Sequence, residues 1–166
     1  MRVKLKKLLY LALLTAISLV LFVVENQIPA PVPGVKLGLG NVIVVAVLFL
    51  YGPWESLAVL SVKVLLSAIL TGNLSALAYS AAGGLLSWGG MCLLRPLLRE
   101  KQLWAASVLG AMLHNLGQLL AAMVIAATPG LIAYLPVLLL SGMVTGLFTG
   151  VAAQAVVGRI KKINQK

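Results

Sequence analysis

Apolar residues in this chain fall into near-continuous blocks of about 15 to 25, parted by short breaks of proline, glycine and basic side chains. Blocks of that length match the roughly 20 residues a helix needs to cross about 30 Å of hydrocarbon. In that medium only helices and closed barrels satisfy their own backbone polar groups. The pattern therefore predicts an all-α, polytopic membrane protein. Charge agrees with it: of 166 residues, 61% are hydrophobic and 10% charged, against about 25% charged in soluble domains. Too little polar surface is left to cover a globule in water.

Only Glu25, Glu55 and Glu100 are acidic, and aspartate is absent from the sequence. This excludes paired carboxylates for acid–base catalysis and the acidic clusters that hold magnesium and a diphosphate. One cysteine, Cys92, and one histidine permit neither an internal disulfide nor a metal cluster. The phosphate-cradling pattern G-x-x-x-x-G-K-[ST] is missing as well. A chain of this kind is expected to bind, move or dock rather than catalyse, and to need no metal or cofactor. Its net charge of +10 would suit nucleic acid, but the basic residues collect at the ends of apolar blocks. The positive-inside rule and anionic lipid explain that placement, so the expected partner is the bilayer and not nucleic acid.

Breaks at polar, Pro and Gly clusters predict six spans, at residues 8–24, 37–51, 55–71, 74–94, 103–127 and 133–157, forming one transmembrane domain over 1–166. The first resembles a signal peptide in its basic start, but it is long for one and reads as a retained helix. No soluble domain is expected at either end. With six spans, the basic residues before the first span, those of the 95–102 loop and those after the last span share one side. That side is expected to be cytoplasmic, with both termini inside a bacterial cell membrane. The opposite side receives ENQIPAPVPGVK (25–36), whose alternating prolines favour an extended, stiff segment. It reads either as a lid over the bundle or as a rigid linker.

Small residues recur at four-residue spacing, which places them on one helix face. Ala12 and Ala16 do so in the first span, and Gly142, Gly146 and Gly150 in the last; Gly83-Gly84 and Gly89-Gly90 lie in the fourth. Such faces let helices approach closely in lipid, and the glycines are expected to pack within this bundle. Polar side chains inside the spans are the candidate site. Lys63 lies eight residues into the third span, about 12 Å deep, and a buried ammonium demands a partner. His114, Asn115 and Gln118 share a face of the fifth span, Asn41 lies near the outer end of the second, and Tyr79 in the outer half of the fourth. Together with Glu25, Asn26 and Lys36 of the outer loop, they predict a pocket in the outer half of the bundle. Helix cross-linking is the plainer reading of any one of them. With so little acid, the pocket is expected to favour a small, partly hydrophobic ligand bearing negative charge or acceptors.

The stretches IPAPVPGVKLGLGN, LSALAYSAAGGLLS, GAMLHNLGQL and TPGLIAYLPVLLLSGMVTGLFTG resemble the bacterial membrane family called heptaprenyl diphosphate synthase component I or Gx transporter, over about residues 8–157. That family in turn resembles the substrate-binding S components of energy-coupling factor (ECF) importers. The resemblance implies a six-helix fold with both ends inside and, in the outer half, a vitamin or similar nutrient or an isoprenoid-, quinone- or flavin-related precursor as substrate. It also implies docking of Ala12 and Ala16 on a membrane T component driven by two cytosolic ATPases. A non-catalytic membrane subunit serving a prenyl diphosphate, quinone or redox enzyme is the alternative.

Overall fold

The computed structural model describes residues 2–27, 38–99 and 102–164. Among these, six α-helices follow one another: α1 (Arg2–Asn26), α2 (Leu39–Leu50), α3 (Pro53–Thr71), α4 (Leu74–Leu94), α5 (Leu103–Ile125) and α6 (Leu135–Asn164). Short 3₁₀ turns at Arg95–Leu97 and Pro129–Tyr134 complete the connections. Each break has a local cause. Pro53 and Pro129 open their segments in the first turn, where a missing N–H costs nothing. Gly72 closes α3 in the left-handed conformation, φ 64°, its N–H donating to the Ile69 carbonyl. Asn73 caps α4 by accepting the Ala76 N–H at 3.0 Å. Asn73→Ala should cost about 1 kcal/mol and lower the thermal midpoint by about 2–4 °C, whereas Asn73→Ser should hold it. A melt of the purified protein in detergent distinguishes the two.

The helices run longer than the hydrophobic blocks at both chain ends, because α1 takes in the lysines before residue 8 and α6 those after residue 157. Lysine is a good helix former, and hydropathy marks only where lipid is tolerated.

The second helix departs most from expectation. It has 12 residues, about 18 Å of helix, well short of the hydrocarbon thickness. Among the described residues, five helices are long and apolar enough to cross a membrane, and α2 is not one of them. Eight of its residues, Gly40 and Val42 through Leu48, are buried. Val45, Ala46 and Leu48 pack with Leu103, Ala106, Ala153 and Val157 of α5 and α6. Ile43, Val44 and Val47 pack with Val59, Leu60 and Val64 of α3. The short helix is thus the shared wall between two halves of the core. A helix sheathed by protein need not match the bilayer, because its ends meet protein and not lipid.

Around it the longer helices turn apolar side chains outward. Leu8, Leu9, Leu13, Ile17 and Val20 on α1, Leu65, Ile69 and Leu70 on α3, and Leu140, Val144, Phe148 and Val151 on α6 are all exposed. So continuous an apolar surface marks a membrane-facing wall. Successive helices are antiparallel. On α6, Gly142 lies against Met112, Gly146 against Val108 and Gly150 against Trp104, so contacts advance along α6 as they retreat along α5. The glycine faces therefore do what the spacing predicts, with one exception: Gly83 packs on α5, Gly84 on Leu60 and Gly90 on Leu113, but nothing lies within 4 Å of a Cβ at Gly89. At the end carrying the basic residues, Lys7 pairs with Glu55 at 2.5 Å and Trp88 donates its indole N–H to the Pro53 carbonyl at 3.1 Å.

Candidate functional site: a polar cavity at the helix junction

All six helices contribute to one cavity of about 110 Å³. Helical periodicity builds its walls. On α5 the lining positions are Ser107, Gly110, Ala111, His114, Asn115 and Gln118, a stripe repeating every three to four residues. On α4 they are Ser80, Gly84, Ser87 and Met91, on α3 Leu60, Lys63, Val64 and Ser67, and on α6 Thr145 and Thr149. From Ser107 to Gln118 the stripe is about 16 Å long.

The charged end of the cavity is organised by the N-terminus of α2. Lys63 is 8% exposed, and its Nζ donates to Asn41 Oδ1 at 2.6 Å. Its Cε and Nζ lie over Gly40, each 3.0 Å from where a Cβ would stand. Any larger residue at 40 would displace the ammonium group. The Gly40 carbonyl in turn accepts the Ser18 hydroxyl of α1 at 2.7 Å. Glu25, 7% exposed, accepts the Gly38 N–H. Gly38 has φ +77°, a left-handed conformation that glycine adopts without penalty. One turn of chain, Gly38–Gly40–Asn41, therefore positions a carboxylate from α1 and an ammonium from α3 on the same cavity.

His114 and Gln118 reach the cavity because Gly83 has no side chain. A Cβ there would lie 2.7 Å from the His114 carbonyl, 2.8 Å from Gln118 Cγ and 3.1 Å from His114 Cε1. Asn115 lines the cavity, yet its Nδ2 donates to the Leu138 carbonyl at 2.7 Å. Its amide ties α5 to α6, the cross-linking role that a polar residue in a span often has. Farther along, Ser107 and Thr149 share a hydrogen bond of 2.8 Å. Thr149 donates to the Thr145 carbonyl at 2.9 Å, Thr145 to the Ser141 carbonyl at 3.0 Å, and Ser67 to the Val64 carbonyl at 2.9 Å. With their protons turned to the backbone, these hydroxyls offer lone pairs.

Of the residues the sequence singled out, Glu25, Asn41, Lys63, His114, Asn115 and Gln118 meet at this cavity. Tyr79 does not line it: the α4 stripe runs through Ser80, and its neighbour is turned about 100° around the helix. Asn26 is exposed on the last turn of α1, also outside the lining. Lys36, and with it most of the proline loop read as lid or linker, lies outside the described residues. Sequence reasoning missed the hydroxyls Ser67, Ser80, Ser87, Ser107, Thr145 and Thr149. The available signal was phase, since Ser67 follows Lys63 by four residues and Ser107 precedes His114 by seven.

The fold and the cavity define a helical membrane protein with an internal polar site walled by every helix. The chain belongs to the family of heptaprenyl diphosphate synthase component I, which matches residues 14–156 and so takes in the whole cavity lining. No curated protein and no solved structure matches it.

Proposed function

We propose that this protein is the substrate-binding component of an ECF-type importer, a membrane receptor that captures a small molecule from outside and does no chemistry on it. The observation that carries this reading is the buried Lys63–Asn41 pair opening on a cavity at the junction of all six helices. An ionisable side chain kept at that depth is costly and marks a ligand site by default. The basic residues orient the bundle. Lys4, Lys6 and Lys7 begin α1, Arg95 and Arg99 follow α4, and Arg159, Lys161 and Lys162 end α6. With that end cytoplasmic, Glu25 and Asn41 face outside and the site fills from there.

Energy for release then comes from partners. Ala12 and Ala16 are exposed on the outward face of α1, between the exposed Leu8, Leu9, Leu13 and Ile17. This flat apolar strip suits close approach of a T-component helix. Changing Ala12 and Ala16 together to Trp should leave the thermal midpoint nearly unchanged, as expected of outward-facing sites. The same change should remove the T component and its two ATPases from the purified assembly. Native mass spectrometry of protein gently extracted from its own membrane reads both. Undiminished assembly would place docking elsewhere, and absence of any ATPase partner from the wild type would end the importer reading.

The family description favours a second reading, a non-catalytic membrane subunit of a prenyl diphosphate synthase. Its mark in the same experiment is co-purification with a soluble synthase subunit. In either case the chain supplies no aspartate for a magnesium-bound diphosphate, so the prenyl transfer chemistry would belong to another subunit.

A further inference from the structure

We infer that the cavity takes a small zwitterion of amino-acid size, bearing one ammonium and one carboxylate, and not a diphosphate or a prenyl diphosphate. The inference deepens the importer reading, on whose cavity it rests. Three features of the cavity lead to it.

The first is charge balance. Among the described residues, one carboxylate, Glu25, and one ammonium, Lys63, join the imidazole of His114 in the lining; both charged groups are buried and come from different helices. The two charges cancel. A ligand of zero net charge keeps that balance, whereas a diphosphate carries two or more negative charges into a low-dielectric site where, among the described residues, one ammonium already faces one carboxylate. Uncompensated buried charge is heavily penalised. From the poverty of acid the sequence suggested a small, partly hydrophobic ligand bearing negative charge or acceptors; the fold turns the Glu25 carboxylate inward beside Gly38.

The second is the polarity of the uncharged wall. Ser67, Ser107, Thr145 and Thr149 commit their protons to backbone carbonyls or to one another. What they present to a ligand is oxygen lone pairs. These four oxygens accept the N–H bonds of an ammonium group. Lys63 and the Asn41 amide, 2.6 Å apart at the other side of α2's first turn, supply donors for a carboxylate. Charge-assisted bonds at both ends of one solute give the orientation.

The third is size. An engineered cavity of about 150 Å³ holds benzene, so about 110 Å³ suits a solute of roughly half a dozen heavy atoms. A long prenyl chain has several times as many.

The test uses the full chain in lipid nanodiscs. Glycine, L-alanine and L-serine are titrated as net-neutral zwitterions of the right size, L-glutamine as the neutral size control for the charged L-glutamate and L-lysine, and inorganic pyrophosphate and geranyl diphosphate as the competing class. Calorimetry and the shift in thermal midpoint are recorded. At least one net-neutral amino acid should bind, about tenfold or more tighter than glutamate, lysine or either diphosphate. Glu25→Gln, which keeps an acceptor for the Gly38 N–H, should weaken that amino acid about tenfold and narrow the gap to the anions. Binding by none of the neutral amino acids, or equal or tighter binding of pyrophosphate or geranyl diphosphate, overturns the inference. Should Glu25→Gln fail to fold, the wild-type ranking alone decides. The outcome is separable from the importer reading. ATPase partners without zwitterion binding would sink only this inference, and zwitterion binding without such partners would sink only the importer.

Discussion

Gly146→Leu is expected to prevent recovery of folded protein, and Gly146→Ala to lower its thermal midpoint by several degrees. A Cβ at this position would stand 2.6 Å from Val108 Cα and 2.9 Å from the Ser107 carbonyl oxygen. Both neighbours are backbone, so no side chain can swing away. The helices must separate instead, and with them go the Ser107–Thr149 bond and the Asn115 bond to Leu138. Overpacking of this kind costs about 1–3 kcal/mol for small insertions and more for large ones. Close packing is also the main force holding helices together in lipid. Gly89→Ala is the matched control: nothing lies within 4 Å of its Cβ. Replacing glycine by alanine in a helix gains up to about 1 kcal/mol. Thermal melts of the three variants in one detergent give the answer. Equal midpoints for Gly146→Ala and Gly89→Ala would mean that α5 and α6 do not pack through the glycine face.

Lys63→Met should abolish ligand retention while leaving the bundle folded. The thioether chain fills most of the space over Gly40, and removing a buried charge relieves its desolvation. Against this stands the loss of the donor to Asn41 Oδ1, worth about 1–3 kcal/mol if the oxygen stays unsatisfied. These effects oppose each other, so the thermal midpoint should move little. Ligand binding has no such compensation. The ammonium is the one that lines the cavity among the described residues, and losing a charge-assisted bond from so buried a group should cost about a hundredfold or more in affinity. The readouts are the small molecules retained by protein extracted from its own membrane and the midpoint of the same sample. Wild-type levels of retained ligand in Lys63→Met would remove Lys63 from the site. A collapsed midpoint with the ligand still bound would make it a structural anchor.

Much of this architecture is legible in the sequence because the bilayer reduces the choices. A block such as residues 103–127 has one stable form in hydrocarbon, and α5 at Leu103–Ile125 is that helix. Proline and glycine punctuate it as local sterics demand: Pro53 begins α3 and Gly72 ends it. The spacing of Gly142, Gly146 and Gly150 already announces a close helix contact. Phase explains the site equally well, since Ser107, His114 and Gln118 had to share a face once α5 was a helix. Where the reading departs from the structure, helical phase had not been applied. Tyr79 was placed by depth alone, and a neighbour on a helix points elsewhere. The block at 37–51 looked like another span, yet hydropathy does not distinguish residues that face lipid from residues that face protein. Val44, Ala46 and Leu48 are apolar because they sit in the core of the bundle.

By itself the sequence determined the helical class, the membrane surroundings, the breaks and the poverty of acid that keeps carboxylate chemistry out of the chain. Each follows from short-range causes: backbone satisfaction in lipid, proline and glycine sterics, and composition. Only the tertiary structure decided that α2 is a short inner wall, that Lys63 meets Asn41 across 22 residues of chain, and that Glu25 turns inward to balance it. Those depend on how each helix is rotated and how deeply it nests against its neighbours. Interlocking of small and large side chains over the whole bundle sets both, and no single segment encodes them.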